Sequence, residues 1–193
     1  GKLDWRRIIR GRFPLPSGKG ERPPRRVGHL STIAVTPMPP AVQIETSDVL
    51  IERLADDNVA VSLAVSLNAT TDAIRDRIMP VNKAYPVKRL MEAVRYYGKR
   101  TGRSVTIEYV LFKGLNDTDG DAARLGELLQ GAACMINILM FNPFPGGLYE
   151  RPDEERAYAF RNLLLRNGHV TVVRNSMGRD ILAACGQLRA AAK

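Results

Sequence analysis

The sequence predicts an α/β protein built on parallel strands, and two observations lead to that prediction. Short apolar runs typical of strands alternate about four times with segments of helical period, from residue 47 onwards. Such alternation favours parallel strands with helices packed outside them. The composition, 45% hydrophobic and 25% charged over 193 residues, is that of a globular chain with one sizeable core.

Each predicted element rests on a local signal. Strands are predicted where Val, Ile and Leu are concentrated, over residues 59–67, 104–112, 134–141 and 169–174. Helices are predicted from apolar periodicity, over residues 48–57, 72–79, 86–100, 119–130, 152–166 and 181–192. Caps and breakers support the boundaries: Ser47 precedes the first helix, Pro86 opens another, and Gly102 and Gly168 follow two helix ends.

Residues 1–29 form a separate basic arm, rich in Pro and Gly and predicted to be irregular. The arm has nine Lys and Arg residues against Asp4 and Glu21, so it contributes +7 of the net charge of +9. This asymmetry predicts contact with a polyanion such as RNA. The alternative is a solvated, partly disordered tail. Residues 30–193 are predicted to form the folded domain.

The sequence shows no apolar run long enough to span a bilayer and no signal peptide, so we expect a cytoplasmic protein without a membrane partner. The two cysteines, Cys134 and Cys185, are too few for a disulfide scaffold. With two histidines and no ligand spacing, a zinc site is not expected either.

Polar or Gly/Pro-rich segments follow all four predicted strands, and parallel strands place such loops at one edge of the sheet. Ser66 and Asn68 flank Leu67, and strand periodicity would point both polar side chains to one face. They suit ribose hydroxyls or a carboxylate, or they are simple caps. Asn142 begins a stiff loop over residues 142–147, which is either a binding loop or a rigid turn.

Other polar residues admit two interpretations each. Cys185 lies among small neighbours, so it is either an accessible thiol or a small buried residue, and Cys134 fits the buried role. Asn116 and Asp117 are predicted to form a turn and cap. A further group flanks Pro80 and is expected either to touch phosphate or substrate or to face solvent: Arg75, Arg77 and Asn82.

Six segments in order resemble the RlmN/Cfr family of radical S-adenosylmethionine enzymes. They are Leu63–Ala69, Ile74–Asn82, Thr106–Leu111, Gly114–Asp117, Asn142–Gly146 and Ala183–Leu188. The resemblance covers about Asp48 to Leu188 and implies a partial (βα) barrel of radical SAM type, truncated to about four βα units.

The resemblance also implies a function: methylation of adenosine carbon 2 in 23S ribosomal RNA and in transfer RNAs, and thus a part in rRNA and tRNA processing. In this family the residue matching Cys185 carries the methyl group as S-methylcysteine. Residues matching Ser66, Leu67, Asn68 and Asn142 contact S-adenosylmethionine.

The chain departs from the family pattern before residue 48. The three-cysteine loop that holds the 4Fe-4S cluster is absent, as are the Gly-Glu-Pro loop, the glutamate base and the second, resolving cysteine. Ser31 matches a family cofactor contact only loosely, and no role is assigned to it. Gly178-Arg179-Asp180 has a basic residue where the family usually has an acidic one.

Three functions remain open on this evidence. The chain is part of a methyltransferase that is inactive alone and needs a missing-half protein partner, or it is a non-catalytic RNA-binding paralogue using the arm and barrel face. The third is an unproductive remnant. A truncated barrel would expose the edge of its first strand, which predicts pairing with the missing half or self-association.

Overall fold

The computed structural model describes residues 48–144 and 146–174 in full, and the backbone of residues 41–44. The basic arm, Ser31, the Ser47 cap, the loop that begins at Asn175, the predicted tail helix and Cys185 lie outside the described residues. Their predictions remain predictions.

A single parallel sheet of five strands forms the centre of the described structure. The strands are β1 (Ala41–Ile44), β2 (Ser62–Ser66), β3 (Val105–Leu111), β4 (Cys134–Met140) and β5 (Thr171–Arg174). Each strand pairs with the next one along the chain, so the spatial order is the sequence order. The predicted α/β class with parallel strands is confirmed.

The strand β1 was not predicted. It is four residues long and follows the proline cluster over residues 37–40, so it offers too little periodicity to be recognised locally. Its pairing with β2, with Ala41 opposite Ser62 and Ile44 opposite Val65, supplies the hydrogen bonds that make it a strand.

Helices connect the strands. They are α1 (Asp48–Asp56), α2 (Asp72–Ile78), α3 (Val87–Thr101), α4 (Asp119–Leu129) and α5 (Glu154–Arg166), with a 3-10 turn at Pro80–Lys83. Their ends lie close to the predicted ones because local signals set them. Thr71, Thr118 and Asp153 cap α2, α4 and α5 through their side-chain oxygens, and Gly102 ends α3 at a φ of 70°. No described helix has the length and apolarity of a membrane-crossing segment.

The apolar core lies between the sheet and the helices. In β3 the buried residues alternate with half-buried ones, and Val105, Ile107, Tyr109 and Leu111 are all fully buried. Tyr109 stacks on Phe160 of α5, with the ring centroids 5.7 Å apart. The alternate residues of β3 therefore point to the opposite face of the sheet, away from this core.

Candidate functional site

The carboxyl ends of β2, β3 and β4 meet at one edge of the sheet. Ser66 is the last residue of β2, Phe112 directly follows β3, and Asn142 lies two residues beyond β4. Since β3 separates β2 from β4, and strands lie about 4.8 Å apart, the strand ends that carry Ser66 and Asn142 are about two strand spacings from each other. A ligand the size of a nucleoside can bridge such a distance.

Arg75 is a buried support beneath this edge. Its side chain is fully buried, and its guanidinium donates to the carbonyl oxygens of Leu67 at 2.9 Å (Nε) and Ser66 at 3.3 Å (Nη2). Both expectations for Arg75, a phosphate contact or a solvated surface, are therefore wrong. Helix α2 directs the side chain back under the end of β2, where these backbone carbonyls need a donor.

Asn82 belongs to the same hydrogen-bond network as Arg75 and is also buried. The expectation that Asn82 touches phosphate or substrate or faces solvent is therefore wrong as well. Its Oδ1 accepts from Arg75 Nη1 at 2.7 Å, and its Nδ2 donates to Asp76 Oδ1 at 2.7 Å and Asp72 Oδ1 at 3.1 Å. Burial lowers the pKa of Arg75 to about 10, while the carboxylates of Asp72 and Asp76 act to raise it. Arg75 thus stays cationic at neutral pH. Arg77, by contrast, is exposed.

Asn68 does not continue the strand, which corrects the expectation that strand periodicity aligns it with Ser66. The strand ends at Ser66, and Asn68 adopts a left-handed φ of 59°. Its side-chain Oδ1 accepts from the backbone N–H of Val110 at 2.9 Å, and its Nδ2 donates to the sulfur of Met79 at 3.2 Å. The amide of Asn68 therefore fastens the end of β2 to β3.

Asn116 also links the end of β2 to the end of β3 through side-chain hydrogen bonds. It is fully buried; its Oδ1 accepts from the N–H of Phe112 at 2.7 Å, and its Nδ2 donates to the carbonyls of Val110 at 2.7 Å and Asn68 at 2.8 Å. The predicted turn is present at Asp117, whose Oδ1 accepts from the N–H of Gly114 at 2.9 Å. The predicted cap is corrected, because Thr118 caps α4.

Asn142 is held by a neighbouring cation. Its Oδ1 accepts from Arg151 Nη1 at 2.9 Å, and Asn142 itself is half-buried. Leu67, by contrast, is fully buried, and its carbonyl already accepts from Arg75 Nε at 2.9 Å. Its N–H donates to Glu108 O at 3.0 Å.

A polar row that was not predicted crosses the face of the sheet opposite the core residues of β3. Ser66, Glu108 and Asn137 are register partners on β2, β3 and β4, so their side chains point the same way. Asn137 is 4% exposed, and its Oδ1 has no hydrogen-bond partner among the residues that the structure describes. A buried acceptor of this kind favours a donor from a bound group. The sequence signal was present as a polar residue within the apolar run of β4.

Cys134 lies at the opposite end of the strands from these residues. It is the first residue of β4 and is only half-buried, which corrects the expectation of a buried thiol. Burial raises its thiol pKa, and the charge of Arg95 partly opposes that effect. A protonated thiol is a poor nucleophile, so Cys134 is suited to packing. The described residues contain no group of three His, Cys, Asp or Glu side chains that could hold a metal.

The sheet, with its strands in sequence order and polar loops at its carboxyl edge, has the fold of solved radical SAM enzymes. A solved radical SAM methyltransferase from Sphaerobacter thermophilus matches with a TM-score of 0.73 and 43% identity over 76% of this chain and 43% of that one. A domain of pyruvate-formate lyase-activating enzyme from Bacteroides vulgatus, 15% identical with a TM-score of 0.56 over 70% of this chain and 80% of that one, shares the fold.

Similar curated proteins indicate a more specific family within the radical SAM enzymes. The chain is 45% identical to the dual-specificity RNA methyltransferase RlmN of Paramagnetospirillum magneticum over 77% of its own length, and 43% identical to that of Syntrophus aciditrophicus over 82%. The chain belongs to the RlmN/Cfr family of radical SAM enzymes. It spans 33% and 42% of the length of these two relatives. No protein-family model matches the chain.

Proposed function

We propose that the chain is the substrate-side part of an RNA methyltransferase that modifies adenosine carbon 2 in 23S ribosomal RNA and transfer RNA in the cytoplasm. The observation that carries the proposal is the meeting of Ser66 and Asn142 at one edge of the sheet. Support comes from the 45% identity to a relative named as an RNA methyltransferase.

S-adenosylmethionine is the proposed co-substrate at this edge, and it supplies an electrophilic methyl group. The Ser66 hydroxyl and the Asn142 amide can bind its hydroxyl or carboxylate groups. The carbonyls of Leu67 and Asn68 already accept from Arg75 and Asn116, so a ligand contact there uses their second lone pair. Asn137 lies on the strand next to that of Glu108, and its Oδ1, which has no partner within the described part of the chain, fits an amine or hydroxyl donor. The residues present therefore suit a nucleoside-sized polar ligand.

Cys185 is the proposed methyl carrier. Its thiolate sulfur forms a bond to the methyl carbon while the bond from that carbon to the sulfonium sulfur breaks, and the thiol proton passes to solvent. The products are S-methylcysteine and S-adenosylhomocysteine. Cys134 is not a substitute, because it begins β4 at the other end of the sheet and its thiol pKa is raised.

The 4Fe-4S cluster of the family does not fit the residues present. Such a cluster needs at least three thiolates, and the sequence contains two cysteines. We therefore assign no cluster ligand and no cluster-dependent step to these residues. The proposal is that the chain alone is inactive and that it works with a partner polypeptide that brings the cluster. Among the described strands β1 pairs only with β2, so its other edge is the proposed place of pairing or of self-association.

Replacing the two cysteines separately tests the carrier assignment. The full chain would be co-expressed with the segment of the P. magneticum relative that it does not match, and methyl transfer to adenosine in RNA would be measured by mass spectrometry of digested nucleosides. We expect no product from the chain alone, product from the pair, and loss of product to background with Cys185→Ala. The matched variant Cys134→Ala should keep activity within about twofold, as its thiol has no chemical role. A productive Cys185→Ala pair would remove the carrier role.

The alternative is a non-catalytic RNA-binding paralogue, which the concentration of +7 in residues 1–29 favours. Deleting residues 1–29 is expected to weaken RNA binding at low salt and to flatten its salt dependence, because fewer counterions are released per bound molecule. Binding would be followed by fluorescence anisotropy over a range of salt concentrations. An unchanged slope would show that the arm does not contact the phosphates. Salt-dependent RNA binding by a chain that yields no product with the added segment would favour this alternative.

A further inference from the structure

An aromatic cluster lies beside the candidate site, in the loops that follow β3 and β4. Phe112 and Phe141 have ring centroids 4.7 Å apart, and Tyr149 meets Phe112 edge-on at 5.2 Å. Phe144 meets Phe141 edge-on at 6.2 Å. These contacts fix the four rings against each other at the edge that also carries Asn142.

The outer part of this cluster faces solvent. Phe144 is 47% exposed and Leu148 is 92% exposed, although both are apolar. We call Phe144 and Leu148 the apolar platform. Both residues lie in the loop that also carries Asn142, so this exposed apolar surface borders the candidate site.

Gly146 and Gly147 lie between the two residues of the platform and form part of the turn that connects them. The N–H of Gly147 donates to the carbonyl of Phe144 at 2.9 Å, and Gly146 has a φ of 79°. A Cβ on Gly147 would lie 3.1 Å from that carbonyl oxygen and 3.4 Å from the Phe144 ring. The positive φ of Gly146 favours glycine there, and a side chain at Gly147 would crowd the carbonyl and the ring of Phe144.

The backbones of two residues with exposed cationic side chains lie next to the cluster. The hydroxyl of Tyr149 donates to the backbone carbonyl of Arg77 at 3.5 Å, and the backbone N–H of Lys113 donates to the carbonyl of Glu150 at 3.0 Å. The side chains of Arg77 and Lys113 are both exposed. Glu150 pairs with Lys113 at 3.4 Å and offsets part of this charge. Apolar surface bordered by cations suits a partner with flat apolar faces and negative charges.

We propose that the apolar platform stacks an unpaired base of RNA, while Arg77 and Lys113 face the neighbouring phosphates. This inference rests on the proposed function, because RNA is taken as the substrate. The apolar platform is the surface proposed to bind that RNA. Single-stranded RNA is bound by stacking bases on aromatic side chains, and every base has a face that can stack. The position next to Asn142 would bring the nucleotides beside that base to the carboxyl edge of the sheet.

Affinity of the full chain for an RNA hairpin with unpaired loop adenosines tests the inference. Stacking of one base contributes about 1–3 kcal/mol, so Phe144→Ala is expected to weaken binding by about 5- to 150-fold. Phe144→Tyr keeps an aromatic face and should bind within about twofold of the parent. Val170→Ala, a change at a 63% exposed residue next to the amino end of β5, is the matched control and should have no effect. The salt dependence should be the same in all four proteins, because no phosphate contact is removed.

A fluorescent base gives a direct readout of stacking. With 2-aminopurine in the loop, binding of the parent chain should quench the fluorescence, and binding of Phe144→Ala at saturating concentration should not. If the full chain binds no RNA, both the proposed function and this inference fail. If it binds RNA with full affinity and full quenching after Phe144→Ala, only the platform fails. If Phe144→Ala removes self-association in sedimentation and leaves RNA binding unchanged, the surface is a protein interface and the platform also fails.

Discussion

Replacing Arg75 with methionine is expected to lower the free energy of unfolding by about 3–5 kcal/mol, the cost of breaking a buried charged network by removing one partner. Methionine fills much of the volume but donates no hydrogen bond. The carbonyl oxygens of Ser66, Leu67 and Tyr85 would lose their guanidinium donor, as would Oδ1 of Asn82. Each buried acceptor left without a donor costs about 1–3 kcal/mol. Since the free energy of unfolding of a domain is about 5–15 kcal/mol, the expected loss is a large fraction of the total.

Arg77→Met is the control for this experiment. Arg77 lies in the same helix, two residues further on, and is exposed, so the same change of residue type there should alter stability by no more than about 0.5 kcal/mol. Urea unfolding followed by circular dichroism compares the two variants with the parent. Equal midpoints for Arg75→Met and Arg77→Met would show that the buried network contributes nothing to stability.

Asn116→Leu is expected to cost about 3 kcal/mol or more, because leucine matches the shape of asparagine but makes none of its three hydrogen bonds. The change leaves the N–H of Phe112 and the carbonyls of Asn68 and Val110 unpaired in a buried region. The same groups hold the end of β2 against the end of β3, so the proposed binding of S-adenosylmethionine at this edge should weaken as well.

Hydrogen exchange locates the effect of this variant. The amide of Phe112 should lose its protection first, since Oδ1 of Asn116 is its acceptor at 2.7 Å. Asn162→Leu, at an exposed position within α5, should leave both stability and exchange unchanged. Retained protection at Phe112 in Asn116→Leu would mean that water or a backbone shift replaces the buried amide.

The replacements at Arg75 and Asn116 distinguish residues that hold the backbone from residues that contact a ligand. Neither Arg75 nor Asn116 is exposed, so neither is placed to touch a ligand directly. Both hold backbone at the carboxyl edge, where Ser66 and Asn68 lie. Loss of ligand binding in these variants would therefore accompany loss of stability, whereas Phe144→Ala should change RNA affinity without a comparable change in the unfolding midpoint.

The class of fold and most element boundaries could be predicted from the amino-acid sequence. Alternating strand and helix patterns predicted parallel strands, and the breaker Gly102 was expected just past the end of the helix that it ends. The sequence also determined that the chain cannot supply three thiolates, because that is a count of cysteines. These features depend on local spacing or on composition, both of which a single sequence contains in full.

Which polar side chains are buried, and which groups they bind, depends on the folded arrangement of the chain. Arg75 and Asn116 resemble surface and turn residues in the sequence, yet both are fully buried. Their roles depend on acceptors brought in from elsewhere: Asn116 reaches the carbonyl of Asn68, 48 positions away. The row from Ser66 through Glu108 to Asn137 exists only through strand register. Burying a polar group is favourable only when its partners are in place, and those partners are assembled by the fold rather than by neighbours in the chain.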